Sequence, residues 1–270
     1  MGRVRDRFAC LNGLRLHFLD WDGPPGDPPV LVLLHGGLGD AHGWDPFGSA
    51  FALHYRVIAP DSRGHGESDW SRAREYSAEY RAADLSLLLA ALGCDEVSIV
   101  GASMGGLTGY TFAAQSPQLV KKLVVVDVSP EIPSWSEPPR NRFDSLEDAL
   151  AERLVPSRGK DETRLRESVE RNLMLMADGT FSWRYDVEGI HADFENRDVE
   201  ADWRLLEKIT APTLLVRGAE SQLLTKELAD RVCRSIPNAR LVEVAGAGHP
   251  VQRDQPALFL AAVAPFLFDT

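Results

Sequence analysis

The stretch VSIVGASMGG, residues 97–106, decides how this 270-residue chain is organised. Three apolar β-formers lead into a Gly-x-Ser-x-Gly turn, and an apolar helical segment follows over residues 107–115. A turn this sharp needs small neighbours, which Gly101 and Gly105 supply. We predict that Ser103 projects from a strand end at a helix N-terminus and acts as a nucleophile. The alternative is a Gly/Ser turn with no chemistry.

Composition limits the class of protein before any further motif is considered. The chain is 44% hydrophobic and 26% charged, typical of a soluble globular protein, and it is long enough for one large α/β domain with an insertion. No apolar run approaches the roughly 20 residues of a membrane helix. The first 13 residues lack the apolar core of a secretory signal. We expect no membrane association.

The net charge and the cysteine pattern indicate which classes of partner and which cellular compartment to expect. The formal net charge of −11 argues against a nucleic-acid partner, which would require a basic face. Cys10, Cys94 and Cys233 form neither a metal-spaced pair nor a disulfide framework. These features favour a cytoplasmic protein that acts on a small molecule without a metal, and they leave the oligomeric state undetermined.

Predicted strands and helices alternate through most of the chain, which implies a mostly parallel sheet covered on both faces by helices. Ligands bind beyond the carboxyl ends of the strands in such sheets. Several polar residues and glycines follow predicted strand ends and are therefore expected to converge. They are His35, Asp61, Ser103, Asp127, Gly218 and His249.

Residues 130–209 interrupt this alternation. Residues 145–154 and 162–177 have helical patterns, and the region contains no apolar run typical of a buried strand. We predict a helical cap inserted into a core formed by residues 1–129 and 210–270. Trp135, Trp183 and Tyr185 would line an apolar substrate pocket together with Leu38 of the core. The alternative is that these aromatic residues pack the cap onto the core.

Taken together, five segments resemble the α/β-hydrolase superfamily, specifically its cap-bearing branch. They follow the family's order and span nearly the whole chain: His35-Gly36-Gly37, residues 61–68 (DSRGHGES), the turn at Ser103, residues 123–130 (LVVVDVSP) and Gly246-Ala247-Gly248-His249. The resemblance implies an eight-stranded, mostly parallel sheet. Ala102 departs from the pattern, because relatives often have a larger polar residue there.

The resemblance places His249 in the slot of the catalytic base, and an imidazole titrates where it can accept and return a proton. The acid that orients this imidazole has two candidate positions. The common position lies three residues beyond the glycine after strand 213–217, where this chain has Ser221, and Glu220 precedes it. Some branches place the acid 20-odd residues after the nucleophile, where Asp127 ends an apolar strand. We favour Asp127, with Glu220 as the alternative.

An oxyanion hole completes the predicted site. The backbone amide of Met104, which follows the nucleophile, would supply one donor, and the amide of Gly37 or of Leu38 would supply the second. By the same resemblance, His35, His65, Asp61, Arg63 and Ser68 are expected to have structural roles. Arginines in two other segments could bind a substrate carboxylate: Arg184 and Arg217.

These residues predict a serine hydrolase that cleaves a small ester or related carbonyl compound through an acyl-enzyme, without cofactor or metal. Carboxylesterase activity fits best. Alternatives are cleavage of a C–C bond next to a carbonyl, as in the meta-cleavage-product hydrolases, and cofactor-free perhydrolysis like that of haloperoxidases. A different class also remains open, in which the capped scaffold binds a ligand and signals to partners.

Overall fold

An eight-stranded sheet forms the centre of the protein in a computed structural model that describes residues 3–132, 138–154 and 162–269. Its strands in chain order are β1 (Val4–Leu11), β2 (Leu14–Trp21), β3 (Val30–Leu34), β4 (Arg56–Pro60), β5 (Val97–Ala102), β6 (Val120–Val126), β9 (Thr213–Gly218) and β10 (Ala239–Val244). Two short strands outside this sheet, β7 (Leu173–Leu175) and β8 (Phe181–Trp183), pair with each other.

The strand order is β1-β2-β4-β3-β5-β6-β9-β10. The β1–β2 and β2–β4 pairs are antiparallel and all other pairs are parallel. This confirms the predicted fold class. Strand β1, which was not predicted individually, lies at the edge and is mostly exposed, so its sequence lacks a buried apolar face.

Helices cover both faces of the sheet. In chain order they are α1 (Asp45–Phe51), α2 (Ala78–Ala91), α3 (Met104–Gln115), α4 (Leu146–Leu154), α5 (Glu162–Asn172), α6 (Val187–Glu195), α7 (Val199–Leu206), α8 (Lys226–Ser235), α9 (Val251–Asp254) and α10 (Pro256–Phe268). Short 3-10 helices occur at Ala41–Trp44 and Pro117–Leu119. None of the helices in the described ranges is long and apolar enough to cross a membrane.

Two apolar clusters fill the spaces above and below the sheet. One packs α2, α3, α7 and α8 against one face, and the other packs α1, α9 and α10 against the opposite face. Strands β3 and β5 contribute to both clusters, as expected for strands buried on both sides. The rigid centre of the sheet therefore carries the strand end on which Ser103 is located.

The segment predicted as a cap contains α4 to α7 together with the β7–β8 hairpin. The predicted helix over residues 162–177 is wrong at its C-terminal end, because α5 stops at Asn172 and the chain turns into β7. Helix α7 packs against α3, and Trp203 and Leu206 enter the core cluster beneath it. The domain limits at residues 130 and 209 remain predictions.

The loop after β4 is tied down by a buried carboxylate. Asp61 accepts hydrogen bonds from His17 Nδ1 at 2.8 Å, from the Ala41 amide at 2.6 Å and from the Glu67 amide at 2.9 Å. The contacts with His17 lower the pKa of Asp61 even though burial acts to raise it. Both carboxylate oxygens accept hydrogen bonds from other segments of the chain, so we assign Asp61 a structural role.

His65 joins this loop to two other parts of the protein. Its ring lies 5.1 Å from that of His35 and 5.9 Å from that of Tyr185, a cap residue. Burial, and secondly the nearby His35, lower the pKa of His65 to about 3. The folded protein therefore keeps this imidazole neutral, whereas the unfolded chain protonates it near pH 6.5.

This difference predicts an acid-sensitive contribution to stability. Because the unfolded state binds the additional proton, the free energy of unfolding should fall by about 1.5 kcal/mol between pH 6.5 and pH 5 through His65 alone. Urea unfolding at several pH values measures this change in the free energy of unfolding. His65→Asn retains a donor for the Arg63 carbonyl and should lose this slope, although it is less stable at pH 6.5. Equal slopes for the two proteins would contradict the prediction.

Candidate active site

The turn between β5 and α3 has the geometry of a strained nucleophile elbow. Ser103 has φ +51° and ψ −118°, a conformation that non-glycine residues rarely adopt. A Cβ atom on Gly101 would lie 2.3 Å from the Gly105 carbonyl oxygen, and one on Gly105 would lie 2.3 Å from the Leu34 carbonyl oxygen. The two glycines therefore permit the close packing that holds Ser103 at the strand end.

Three polar side chains from distant parts of the chain form one hydrogen-bonded series. Ser103 Oγ lies 3.0 Å from His249 Nε2, and His249 Nδ1 lies 2.8 Å from Asp127 Oδ2. An ionised carboxylate only accepts hydrogen bonds, so Nδ1 carries the proton and Nε2 is left to accept from the hydroxyl. The side chain of His249 is 29% exposed, and Ser103 is half-buried, so a ligand can reach both.

Asp127 is completely buried at the end of β6 and is held there by three donors. Its Oδ1 accepts from the Gly218 amide at 2.9 Å, and its Oδ2 accepts from Ser221 Oγ at 2.5 Å as well as from His249. Its backbone is in the left-handed region with φ +51°. Hydrogen bonds from β9 and the loop beyond it therefore compensate the cost of burying the carboxylate.

Glu220 occupies a different position. It is exposed, and its backbone amide donates to the Ala247 carbonyl oxygen at 2.9 Å. The structure brings Asp127, and not Glu220, to the imidazole. The loop carrying His249 approaches β9 so closely that a Cβ on Gly218 would lie 2.1 Å from the Gly248 carbonyl oxygen.

The loop after β3 lies directly over the elbow. A Cβ on Gly36 would lie 3.4 Å from Ser103 Cβ, and one on Gly37 would lie 3.9 Å from Met104 Cβ. His35 fixes this loop, because its Nδ1 donates to the Gly36 carbonyl and its Nε2 accepts from the Ser62 amide. Both ring nitrogens are occupied, which gives His35 the structural role that the sequence predicts.

Three backbone amides at the elbow and in the loop beside it donate no hydrogen bond within the described residues. Met104 is the first residue of α3, so its amide has no partner within the helix. Within residues 3–132, 138–154 and 162–269, the amides of Met104, Gly37 and Leu38 donate no hydrogen bond. These are the amides expected to form the oxyanion hole. Leu38 has φ +61°, a third left-handed residue at the same site.

The predicted pocket residues differ in their accessibility. Leu38 is half-buried beside the elbow, whereas Trp183 is 2% exposed and Tyr185 is fully buried. Trp183 and Tyr185 stack on each other within an apolar cluster of the cap, so in this structure neither side chain presents surface to a ligand. Their packing matches the alternative, in which these aromatic residues join cap and core. Trp135 lies outside the described residues.

Other charged residues considered from the sequence have partners away from the elbow. Arg63 forms a buried bidentate ion pair with Asp84, and Arg217 pairs with Glu243 at 2.6 Å. Arg184 borders a surface depression of about 390 Å³ that includes none of the three residues of the hydrogen-bonded series. The sequence places Ser221 three residues beyond the β9 glycine but carries no signal for its hydrogen bond to Asp127.

Comparison with known proteins identifies the family. Residues 29–256 match the family described as alpha/beta hydrolase fold. This protein therefore belongs to the α/β-hydrolase family, and it is an enzyme of that family.

Individual relatives cover almost the whole chain. The esterase Rv0045c of Mycobacterium tuberculosis is 31% identical, over 88% of this chain and 82% of its own. The 3-hydroxybutyrate-oligomer hydrolase of Cupriavidus necator is 32% identical, over 96% of this chain and 95% of its own. A crystal structure of Rv0045c has a TM-score of 0.80 at 29% identity, over 100% and 92%. E-2-(acetamidomethylene)succinate hydrolase shares the fold, with a TM-score of 0.85 at 23% identity, over 99% and 100%.

The packing of the elbow predicts that replacing Gly105 with alanine destabilises the protein much more than the same replacement of Gly43. Gly105→Ala should lower the free energy of unfolding by at least about 2 kcal/mol, because the new methyl group would overlap the Leu34 carbonyl. Gly43→Ala is the control, since nothing lies within 4 Å of a Cβ there, and its effect should stay within about 0.5 kcal/mol. Urea unfolding of both variants measures the difference, and similar losses would contradict this account of the elbow.

Proposed function

We propose that this protein is a serine esterase in which Ser103 is the nucleophile, His249 is the general base and acid, and Asp127 orients the imidazole. The observation that carries the proposal is the continuous hydrogen-bonded series from Asp127 Oδ2 through His249 to Ser103 Oγ. A serine hydroxyl attacks carbonyl carbon only when a base removes its proton, and His249 Nε2 is placed to do so.

In the proposed first step, Ser103 Oγ forms a bond to the ester carbonyl carbon while its proton passes to His249 Nε2. The imidazolium is stabilised by the Asp127 carboxylate at Nδ1. The tetrahedral intermediate then expels the alcohol, which takes the proton from Nε2, and an acyl-enzyme remains on Ser103.

In the second step, water attacks the acyl carbon and transfers a proton to His249 Nε2. Collapse of the second intermediate breaks the bond to Ser103 Oγ, which recovers the proton, and the carboxylic acid leaves. The amides of Met104 and of Gly37 or Leu38 would bind the negative oxygen in both intermediates. Each such donor is worth a few kcal/mol of transition-state stabilisation.

Ester substrates are supported by the relatives. Besides the two hydrolases already named, sn-1-specific diacylglycerol lipase ABHD11 of Mus musculus is 30% identical over 88% of this chain. The three named activities all cleave esters of carboxylic acids. A small or medium-sized carboxylic ester is therefore the substrate class that we assign to this protein.

Replacing the candidate acids separately tests the proposed triad. We expect Asp127→Asn to reduce kcat for 4-nitrophenyl acetate by about 10⁴-fold, because the amide no longer fixes the imidazole tautomer. Glu220→Gln is the matched control and should change kcat less than about threefold, since Glu220 is exposed. Steady-state kinetics of both variants measure the effects. A large loss in Glu220→Gln alone would overturn the choice of acid.

Covalent labelling tests the nucleophile and distinguishes an enzyme from a ligand-binding protein. A fluorophosphonate should modify the wild type at Ser103, identified by peptide mass spectrometry, and should fail to label Ser103→Ala. The same preparation should turn over 4-nitrophenyl acetate many times. No labelling together with at most stoichiometric product release would contradict the esterase proposal.

Ser221 should act as a positioning residue for Asp127. Its hydroxyl donates to Oδ2, the same oxygen that accepts from His249, and accepts from the Leu223 and Leu224 amides at 3.2 Å. We expect Ser221→Ala to lower kcat about tenfold with little change in KM, because one donor to the carboxylate is lost. Ser235→Ala, which removes a hydroxyl on α8, is the control. A change confined to KM would contradict this role.

A further inference from the structure

The loop that carries two of the candidate oxyanion amides, residues 35–41, runs from the end of β3 into the first 3-10 helix. The core of the protein holds both ends of this loop. His35 Nε2 accepts from the Ser62 amide at 2.9 Å, and the Ala41 amide donates to Asp61 Oδ1 at 2.6 Å. The candidate donors lie between these two anchors.

The middle of this loop contacts an arginine of the segment predicted as a cap. Arg153, near the C-terminal end of α4, donates from Nη2 to the Leu38 carbonyl oxygen at 3.0 Å. The Leu38–Gly39 peptide is thereby held on both sides, because the Gly39 amide donates to the Gly36 carbonyl oxygen at 3.2 Å. Leu38 has φ +61°, so these bonds fix a residue in a conformation that leucine rarely adopts.

The hydrogen bonds of this peptide act on the candidate donors through the backbone. The Gly36 carbonyl, which accepts from Gly39, belongs to the same planar peptide as the Gly37 amide. The Leu38 amide is separated from the Leu38 carbonyl only by the two backbone dihedral angles of Leu38. The directions of both amides therefore depend on the carbonyl that Arg153 holds.

Two aromatic residues restrain Arg153 itself. Its guanidinium carbon lies 4.9 Å from the centre of the Trp183 ring, and its Nη2 lies 3.5 Å from the Tyr185 hydroxyl oxygen. Both aromatic side chains are buried, and their rings stack with centroids 5.5 Å apart. A flexible side chain is thus confined to the orientation that reaches the loop, so it loses little further conformational freedom there.

A second contact joins the same loop to the next helix. Asn172, the last residue of α5, is buried, and its Nδ2 donates to Asp40 Oδ2. Asp40 Oδ1 accepts from the Gly43 amide at 3.0 Å and so caps the 3-10 helix. Asp40 follows the candidate donors in the chain, so this contact fixes the end of the loop. Arg153 instead contacts one of the two donor residues directly.

We propose that Arg153 is a positioning residue for the oxyanion donors. Its hydrogen bond to the Leu38 carbonyl keeps Leu38 in the left-handed conformation, and it thereby keeps the amides of Gly37 and Leu38 in the direction that stabilises the negative oxygen. This inference rests on the proposed esterase function. It gives the predicted cap a role in the chemical step, because one of its side chains determines the geometry of the oxyanion hole.

Kinetics of Arg153→Met with 4-nitrophenyl acetate test this role, since methionine donates no hydrogen bond. We expect kcat to fall about tenfold to a hundredfold, because misplaced donors stabilise the transition state less, and KM to change less than about threefold. Arg166→Met, at an arginine of α5 paired with Glu147, is the matched control and should leave both constants within about twofold. An unchanged kcat, or a rise in KM alone, would overturn the proposal.

Inhibition by trifluoroacetophenone distinguishes a weakened oxyanion hole from a general loss of structure. Ser103 Oγ adds to the ketone carbon, its proton passes to His249 Nε2, and the ketone oxygen becomes an anion that the backbone amides stabilise. The inhibition constant should rise about tenfold to a hundredfold in Arg153→Met, in parallel with the loss of kcat. A reduced kcat with an unchanged inhibition constant would count against the proposal.

Replacement of Leu38 tests whether Arg153 acts through the conformation of that residue. Asparagine adopts the left-handed region more readily than leucine, so a Leu38→Asn protein should depend less on the arginine. We expect Arg153→Met to cause a loss of kcat at least about threefold smaller in Leu38→Asn than in the wild type. Equal losses in the two proteins would show that Arg153 does not act through Leu38.

Arg153→Lys supplies a second variant, because an ammonium group can still donate to the Leu38 carbonyl. Its kcat should lie between those of the wild type and Arg153→Met, again with little change in KM. If Arg153→Met does not fold, the lysine variant is compared with the wild type instead, and a kcat equal to that of the wild type would overturn the proposal.

The failure of this inference differs from the failure of the esterase function. If the wild type neither hydrolyses 4-nitrophenyl acetate nor is labelled at Ser103, both are overturned. If the wild type is labelled and hydrolyses the ester, but Arg153→Met keeps its kcat and its inhibition constant, only the role of Arg153 is overturned.

Discussion

The carboxylate of Asp127, buried between β6 and β9, is the constraint on which the candidate site depends. It receives hydrogen bonds from the Gly218 amide, from Ser221 and from His249. These donors come from two segments, the end of β9 with its following loop and the loop after β10, which meet the end of β6 in the formed sheet. A buried carboxylate without them would be strongly unfavourable, so formation of the sheet and orientation of the imidazole depend on the same interaction.

Backbone strain is concentrated at the same edge of the sheet. Five non-glycine residues in the described ranges have positive φ, and three of them, Leu38, Ser103 and Asp127, belong to the site. Such conformations cost on the order of 1–3 kcal/mol each and persist only where the surroundings impose them. Here the Ser103 amide donates to the Val126 carbonyl and the Asp127 amide to the Val216 carbonyl, which fixes both residues to neighbouring strands.

Local sequence determined the parts of the fold that rest on apolar periodicity and on turn chemistry. The strand, turn and helix around Ser103 were predictable because glycines and β-formers are required there. Edge strand β1 was missed because most of its residues are exposed, and the β7–β8 hairpin was missed because three-residue strands have no recognisable period. The burial of Trp183 and the hydrogen bond from Ser221 to Asp127 depend on contacts between distant segments, which a single sequence does not encode locally.

Ser221 occupies the position where the family resemblance places the acid, and its Oγ is only 2.5 Å from the carboxylate of Asp127, the acid that we propose. The loops after β6 and β9 are thus two alternative positions for the carboxylate that contacts the His249 ring. A search of genomes that looks for the acid only in the loop after β9 would find a serine here and would classify the chain as a degenerate, inactive homologue. Proteins with this arrangement are therefore best sorted by spatial proximity to the histidine rather than by alignment column.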